Sequence, residues 1–116
     1  MDPQLKQTFI RQKASQNACD PQRARILWSR HAITELMDDD LTRQQVEKAL
    51  QSCELIEDYP TQHRPLPDCL VLGRLTASEP LHAVIAIDQD KDRILIVTVY
   101  RPSEEEWEHD WRTRTA

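Results

Sequence analysis

The sequence predicts an α+β fold: N-terminal helices packed on a four-stranded antiparallel meander sheet, followed by a short C-terminal helix. Three observations carry this reading. Helical spacing of apolar residues dominates the first half of the chain. Four runs rich in aliphatic and β-branched residues then follow one another with no helix between them, the order expected of an antiparallel sheet covered by helices on one face. The two densest runs, Pro80-Leu-His-Ala-Val-Ile-Ala-Ile-Asp88 and Arg93-Ile-Leu-Ile-Val-Thr-Val-Tyr-Arg-Pro102, are bounded by Pro or clustered Asp and are too short for most amphipathic helices.

Asp2-Pro3 pairs an N-cap with Pro at the first helical position, and Leu5, Phe9 and Ile10 mark a narrow apolar stripe, so a helix is expected to about Ser15. Its polar bulk predicts a surface helix or an extension that docks on the domain or on a partner. Residues 1–24 are read as this extension and 25–116 as one α+β domain. Arg25-Ile-Leu-Trp28 is a short extended lead-in, and Ser29 caps a helix whose Ala32, Ile33, Leu36 and Met37 share one face. Asp38-Asp39-Asp40 ends it. Thr42-Arg-Gln-Gln45 is a capping box for a second helix to about Gln51, with Val46, Ala49 and Leu50 inward. Cys53 to Tyr59 forms the first strand and Cys69 to Leu75 the second, and the Pro-rich segment between them is a loop. After Pro102, Ser103-Glu-Glu-Glu106 repeats the capping-box pattern, and Trp107 with Trp111 four residues on predicts a short helix pinned by two indoles. The Arg112 to Ala116 end is expected to fray.

Composition narrows the function classes. At 116 residues there is material for one core, and 39% hydrophobic with 30% charged residues is globular rather than disordered. No run approaches a membrane span and Met1 to Gln7 lacks the apolar core of a signal peptide, so a cytoplasmic protein without membrane association is expected. Cys19, Cys53 and Cys69 are odd in number and widely spaced, which predicts reduced thiols and no structural zinc. Gly73 is the lone glycine, so no Gly-rich phosphate loop exists and no nucleotide cofactor is expected. Asp88-Gln-Asp-Lys-Asp92 begins like a calcium loop, yet Arg93 stands where glycine is required and Val99 where a glutamate is, so a hairpin turn is expected and no metal site. A net charge of −5 argues against indiscriminate nucleic-acid binding but leaves room for a local basic cleft.

Candidate chemistry sits at one end of the two dense strands. Their polar side chains are His82, Thr98, Tyr100 and Arg101, and antiparallel pairing brings these ends together. A register whose opposed numbers sum to an even value, such as 182, places His82 on the face of Tyr100 and Thr98; an odd sum places it with Val99 and Arg101. Sequence leaves both open. His31, in the first turn of its helix, is four residues from Glu35.

Trp28-Ser-Arg-His-Ala32, Glu57-Asp-Tyr-Pro60, Cys69-Leu-Val-Leu-Gly73, Pro80-Leu-His-Ala-Val84 and Val97-Thr-Val-Tyr-Arg-Pro102 with Trp107, taken in order, resemble the family named domain of unknown function 4258, over roughly residues 25–112. That family is similar in fold to the toxin group containing barnase, EndoU, colicin nucleases and RelE. The resemblance implies a toxin–antitoxin type ribonuclease, with the family's recurring polar positions on His31, His82, Tyr100 and Arg101. Metal-independent RNA cleavage needs a base, an acid and a cation for the phosphate. In that scheme His31 is the base, kept neutral by the helix N-terminus. His82 is the acid, Tyr100 orients substrate or donates a proton, and Arg101 neutralises phosphate. Arg30, Arg74 and Arg64 would line a basic, RNA-binding rim or are solvated surface. The competing expectation is a non-catalytic interaction domain, whose terminal helices bind a protein partner or build a homo-oligomer. In that case His31 is a helix-start residue paired with Glu35 and His82 a satisfied strand histidine.

Overall fold

The computed structural model describes residues 1–59 and 65–115. Helix α1 (Pro3–Cys19) leads through a short 3₁₀ turn to strand β1 (Ile26–Trp28), then helices α2 (Arg30–Asp38) and α3 (Arg43–Leu50), and strands β2 (Glu54–Tyr59), β3 (Asp68–Thr76), β4 (Glu79–Asp88) and β5 (Arg93–Tyr100). The helix starts follow the expected chemistry. Asp2 accepts from the Leu5 amide, Ser29 from the Ala32 amide, and Thr42 with Gln45 closes a reciprocal capping box. The four predicted strands form the meander, but the sheet has five strands, in the order β1-β5-β4-β3-β2. The fifth is the lead-in, which pairs parallel to β5 with Ile26 opposite Ile94 and Trp28 opposite Ile96. A three-residue run shows no usable alternation, and its partner lies at the far end of the chain.

Cys69, Val71, Leu81, Ala83, Ile85, Ile87, Ile94, Ile96 and Val99 project from one face of the sheet into a core shared with Ile10, Ala14, Ala32, Leu36, Val46, Ala49 and Leu50 of the helices. Gly73 is where α3 comes closest, since a Cβ there would stand 3.1 Å from the Ala49 Cβ. Leu70, Leu72, His82, Ala86 and Trp107 are also buried but lie outside that cluster, so the rear face is covered too.

The predicted C-terminal helix does not form. Glu106 and Trp107 amides both donate to the Ser103 carbonyl, giving one turn; the chain then doubles back, with Trp107 bridged to Arg114. Nor are residues 112–115 frayed, because Arg112 is paired with Glu54 and Arg114 with Glu57 of β2. A helix this short is marginal in water, and packing Trp107 on the sheet outweighs it. Residues 103–115 form a strap across the rear face.

Helix α1 buries Ile10 and Ala14 against the core, and the Lys6 and Lys13 side chains go inward with them. Lys6 pairs with Asp58 and donates to the Asp68 carbonyl at 3.1 Å, while Lys13 pairs with Asp92. Arg11 donates to the Cys53 carbonyl at 2.6 Å, and Gln7 accepts from the Leu55 amide at 2.9 Å. The buried stripe of α1 is thus half lysine, which is why its apolar periodicity is faint. Ile10→Ala is expected to cost about 2–5 kcal/mol, the range for emptying a filled aliphatic site. Urea unfolding checks this: an unshifted midpoint would mean that α1 is not part of the cooperative unit.

Candidate functional site

Two clusters hold the polar residues singled out by sequence. The first lies under the strap. β4 and β5 pair with His82 opposite Tyr100, the even register, so the two side chains share the rear face. The His82 ring has no exposed surface. Trp107 meets it edge-on, with centroids 4.4 Å apart, and Tyr100 lies at 5.4 Å. Its Nε2 stands 2.7 Å from the Trp111 carbonyl, and its Nδ1 3.2 Å from the Tyr100 hydroxyl. A carbonyl only accepts, so Nε2 carries the proton and the Nδ1 of the neutral ring accepts from Tyr100. Trp111 adopts a left-handed φ of 62°, unfavourable for a bulky residue, and thereby delivers its carbonyl to the histidine.

The rim of this cluster is ionic. Arg114 is bidentate on Glu57 and lies 4.7 Å over the Trp107 ring, and Arg112 is bidentate on Glu54. Hydrogen bonds from these guanidinium groups hold the Glu54 and Glu57 carboxyls below the usual range. The Tyr59 hydroxyl donates to Glu57 at 2.9 Å; burial, then that bond, pushes its pKa up. Burial likewise raises Tyr100 and lowers His82.

The second cluster lies where β5 outruns β1. The register of β4 with β5 shifts between Val84 and Ile85, leaving Val97 without a partner in a bulge. Helix α2 satisfies the strand there. Ser29 Oγ donates to the Val97 carbonyl at 2.7 Å, and one Glu35 oxygen accepts from the Val99 amide at 2.9 Å and from the Thr98 hydroxyl. His31 Nε2 lies 3.5 Å from that same oxygen, and the His31 side chain is 71% exposed. Glu35 therefore acts as a substitute strand edge, with the imidazole at its outer side.

The predicted residues are thus brought together only in part. His82 and Tyr100 meet; His31 stands on α2 beyond the sheet edge. Arg101 turns to acids, donating to Glu79 at 3.1 Å and to the Asp39 carbonyl at 3.2 Å. Arg30 and Arg74 are exposed on separate elements, and Arg64, like His63, lies outside the described residues. Sequence reasoning missed Trp107 as the lid on His82 and the two arginine–glutamate pairs. The available signal was two arginines spaced by two opposite two glutamates spaced by three, legible only once the strap is known to cross β2.

His82 protonates less readily folded than unfolded, so its contribution to stability is present above its ordinary value of 6.5 and is lost as pH falls through that value towards the lower folded one. The unfolding midpoint is expected to decline below about pH 6.5, before the carboxylates titrate, and His82→Gln should flatten this slope. Glu57 on β2, Arg114 on the strap and Tyr100 on β5 are the ionisable groups facing the ring. Separately, Glu35→Ala should speed hydrogen exchange at the Val99 amide by roughly 5- to 150-fold, a loss of about 1–3 kcal/mol of local protection. An unchanged rate would remove Glu35 from its strand-edge role.

Among the described residues no helix is long and apolar enough to cross a membrane. No curated protein and no solved structure matches the chain, and the expected kinship in fold with RelE-type toxins is not confirmed by any structural neighbour. The family model described as "Domain of unknown function (DUF4258)" matches residues 28–101. That span takes in His31, Glu35, His82 and Tyr100 and leaves α1 and the strap, with Trp107, Trp111, Arg112 and Arg114, outside it. It covers more than half of the chain, and the protein belongs to the DUF4258 family.

Proposed function

We propose that this chain is a non-catalytic binding module in which the family's polar positions serve structure. The observation that carries the reading is the enclosure of His82. A ring with no exposed surface, both nitrogens engaged and an indole against it, has no path to a substrate proton. The charge pattern supports the same reading. Arg25, Arg93, Arg101, Arg112 and Arg114 each face a carboxylate, so these five cations are already engaged and are not free to hold a phosphate backbone.

One observation favours the second reading, a metal-independent endoribonuclease. His31 is exposed and backed by the Glu35 carboxylate, the arrangement that orients a general base, and Arg30 adjoins it in sequence. Cleavage of labelled mixed-sequence RNA in EDTA separates the two. The binding-module reading expects no cutting by the purified chain, and the same from fold-checked His31→Ala and His82→Ala variants. Cutting that falls by about 10²–10⁴ in His31→Ala would replace it with the nuclease reading, that range being what a positioned base contributes.

A further inference from the structure

We propose that the C-terminal strap is an exchangeable arm, which docks on the rear face of a second copy of this chain as it does on its own. The proposal deepens the binding-module reading, on which it rests, by naming the partner. Among the described residues, the backbone-to-backbone hydrogen bonds of the strap close within it: Glu106 and Trp107 to Ser103, Trp111 to Glu108, Glu108 to Thr113, and Thr115 to Glu106. Side chains add to this internal order, since Asp110 accepts from the Arg112 and Thr113 amides. The strap touches the sheet through few groups: the Trp107 indole on His82, the Trp111 carbonyl on His82 Nε2, and the Arg112 and Arg114 pairs with Glu54 and Glu57. Its exchange therefore breaks no sheet ladder, and His82 is enclosed again whenever an arm, its own or that of a second copy, is docked.

The surface left behind says what returns. It offers an imidazole donor, two phenols and two carboxylates, and these match the indole, the Trp111 carbonyl and the two guanidinium groups that the strap presents. Every copy of the chain carries that segment, joined to β5 only through Arg101-Pro102. Reciprocal exchange re-forms each contact across a two-fold axis, so the closed monomer and the exchanged dimer differ mainly in the linker. The ion pairs holding the arm are largely exposed, with side chains 42% and 42% accessible in one and 57% and 25% in the other, and such pairs bind weakly in salt.

Charge reversal tests this without disturbing the core. A full chain carrying Glu54→Arg and Glu57→Arg repels its own arm, and so does one carrying Arg112→Glu and Arg114→Glu. Mixed, each arm finds its complement on the other chain. The expected result is a heterodimer of twice the 13.6 kDa chain mass in the mixture and monomers in the separate samples. All four substitutions in one chain should restore closure. If that chain closes its arm while the mixture stays monomeric, the exchange is wrong. A second measurement needs no variant: native mass spectrometry of unmodified chain mixed with its ¹⁵N-labelled form at raised concentration. Mixed dimers support exchange, and their absence overturns it. RNA cleavage by the unmodified chain would remove the binding-module reading alone, whereas a missing heterodimer removes only the exchange.

Discussion

Strand β4 must be covered on both faces, and the rest of the molecule is arranged to do so. Leu81, Ala83, Ile85 and Ile87 point to the helices, and His82 and Ala86 to the rear, all buried. A sheet centre dense in aliphatic side chains is costly to leave wet on either side, at about 25 cal/mol per Å² of apolar surface. The three helices solve the front. The rear falls to an irregular strap of thirteen residues, 103–115, whose one deeply buried side chain is Trp107. Because a polar ring lies beneath it, that cover has to supply a hydrogen-bond acceptor as well as apolar area, which the Trp111 carbonyl does.

Both outer covers, α1 and the strap, lie beyond the residues matched to the family, and both are tied down by cation–carboxylate pairs. The pairs differ in kind. Lys6 and Lys13 are buried, so their charges bind α1 in one register and resist its departure. Arg112 and Arg114 are exposed and hold the strap more loosely. A shallow apolar cleft of about 190 Å³ is lined by Pro65, Leu66, Asp68, Ala86, Leu95 and Val97.

The bulge in β5 shows how a helix completes a sheet. Where β1 ends, β5 keeps unpaired backbone groups on its open side, and an exposed strand edge invites pairing with another chain. Ser29 and Glu35 of α2 take those groups instead. Glu35 first reads as a simple helical partner of His31, yet its carboxylate accepts from the Val99 amide and the Thr98 hydroxyl of the strand.

Local chemistry is what the sequence determined by itself: the caps at Asp2, Ser29 and Thr42, the inward Ala32 and Leu36 of α2 and Val46, Ala49 and Leu50 of α3, the meander of four strands and the family, although Met37, read onto the same α2 face, is 80% exposed. Each depends on neighbours a few residues apart, where spacing is informative. Tertiary structure decided the rest, through contacts between segments far apart in the chain. It paired Ile26–Trp28 with β5, drew two lysines of α1 inward to Asp58 and Asp92, and chose the register that sets His82 against Tyr100. It also unwound the expected last helix, because an indole and two arginines gain more from the rear face and the β2 glutamates than from a short helix in water.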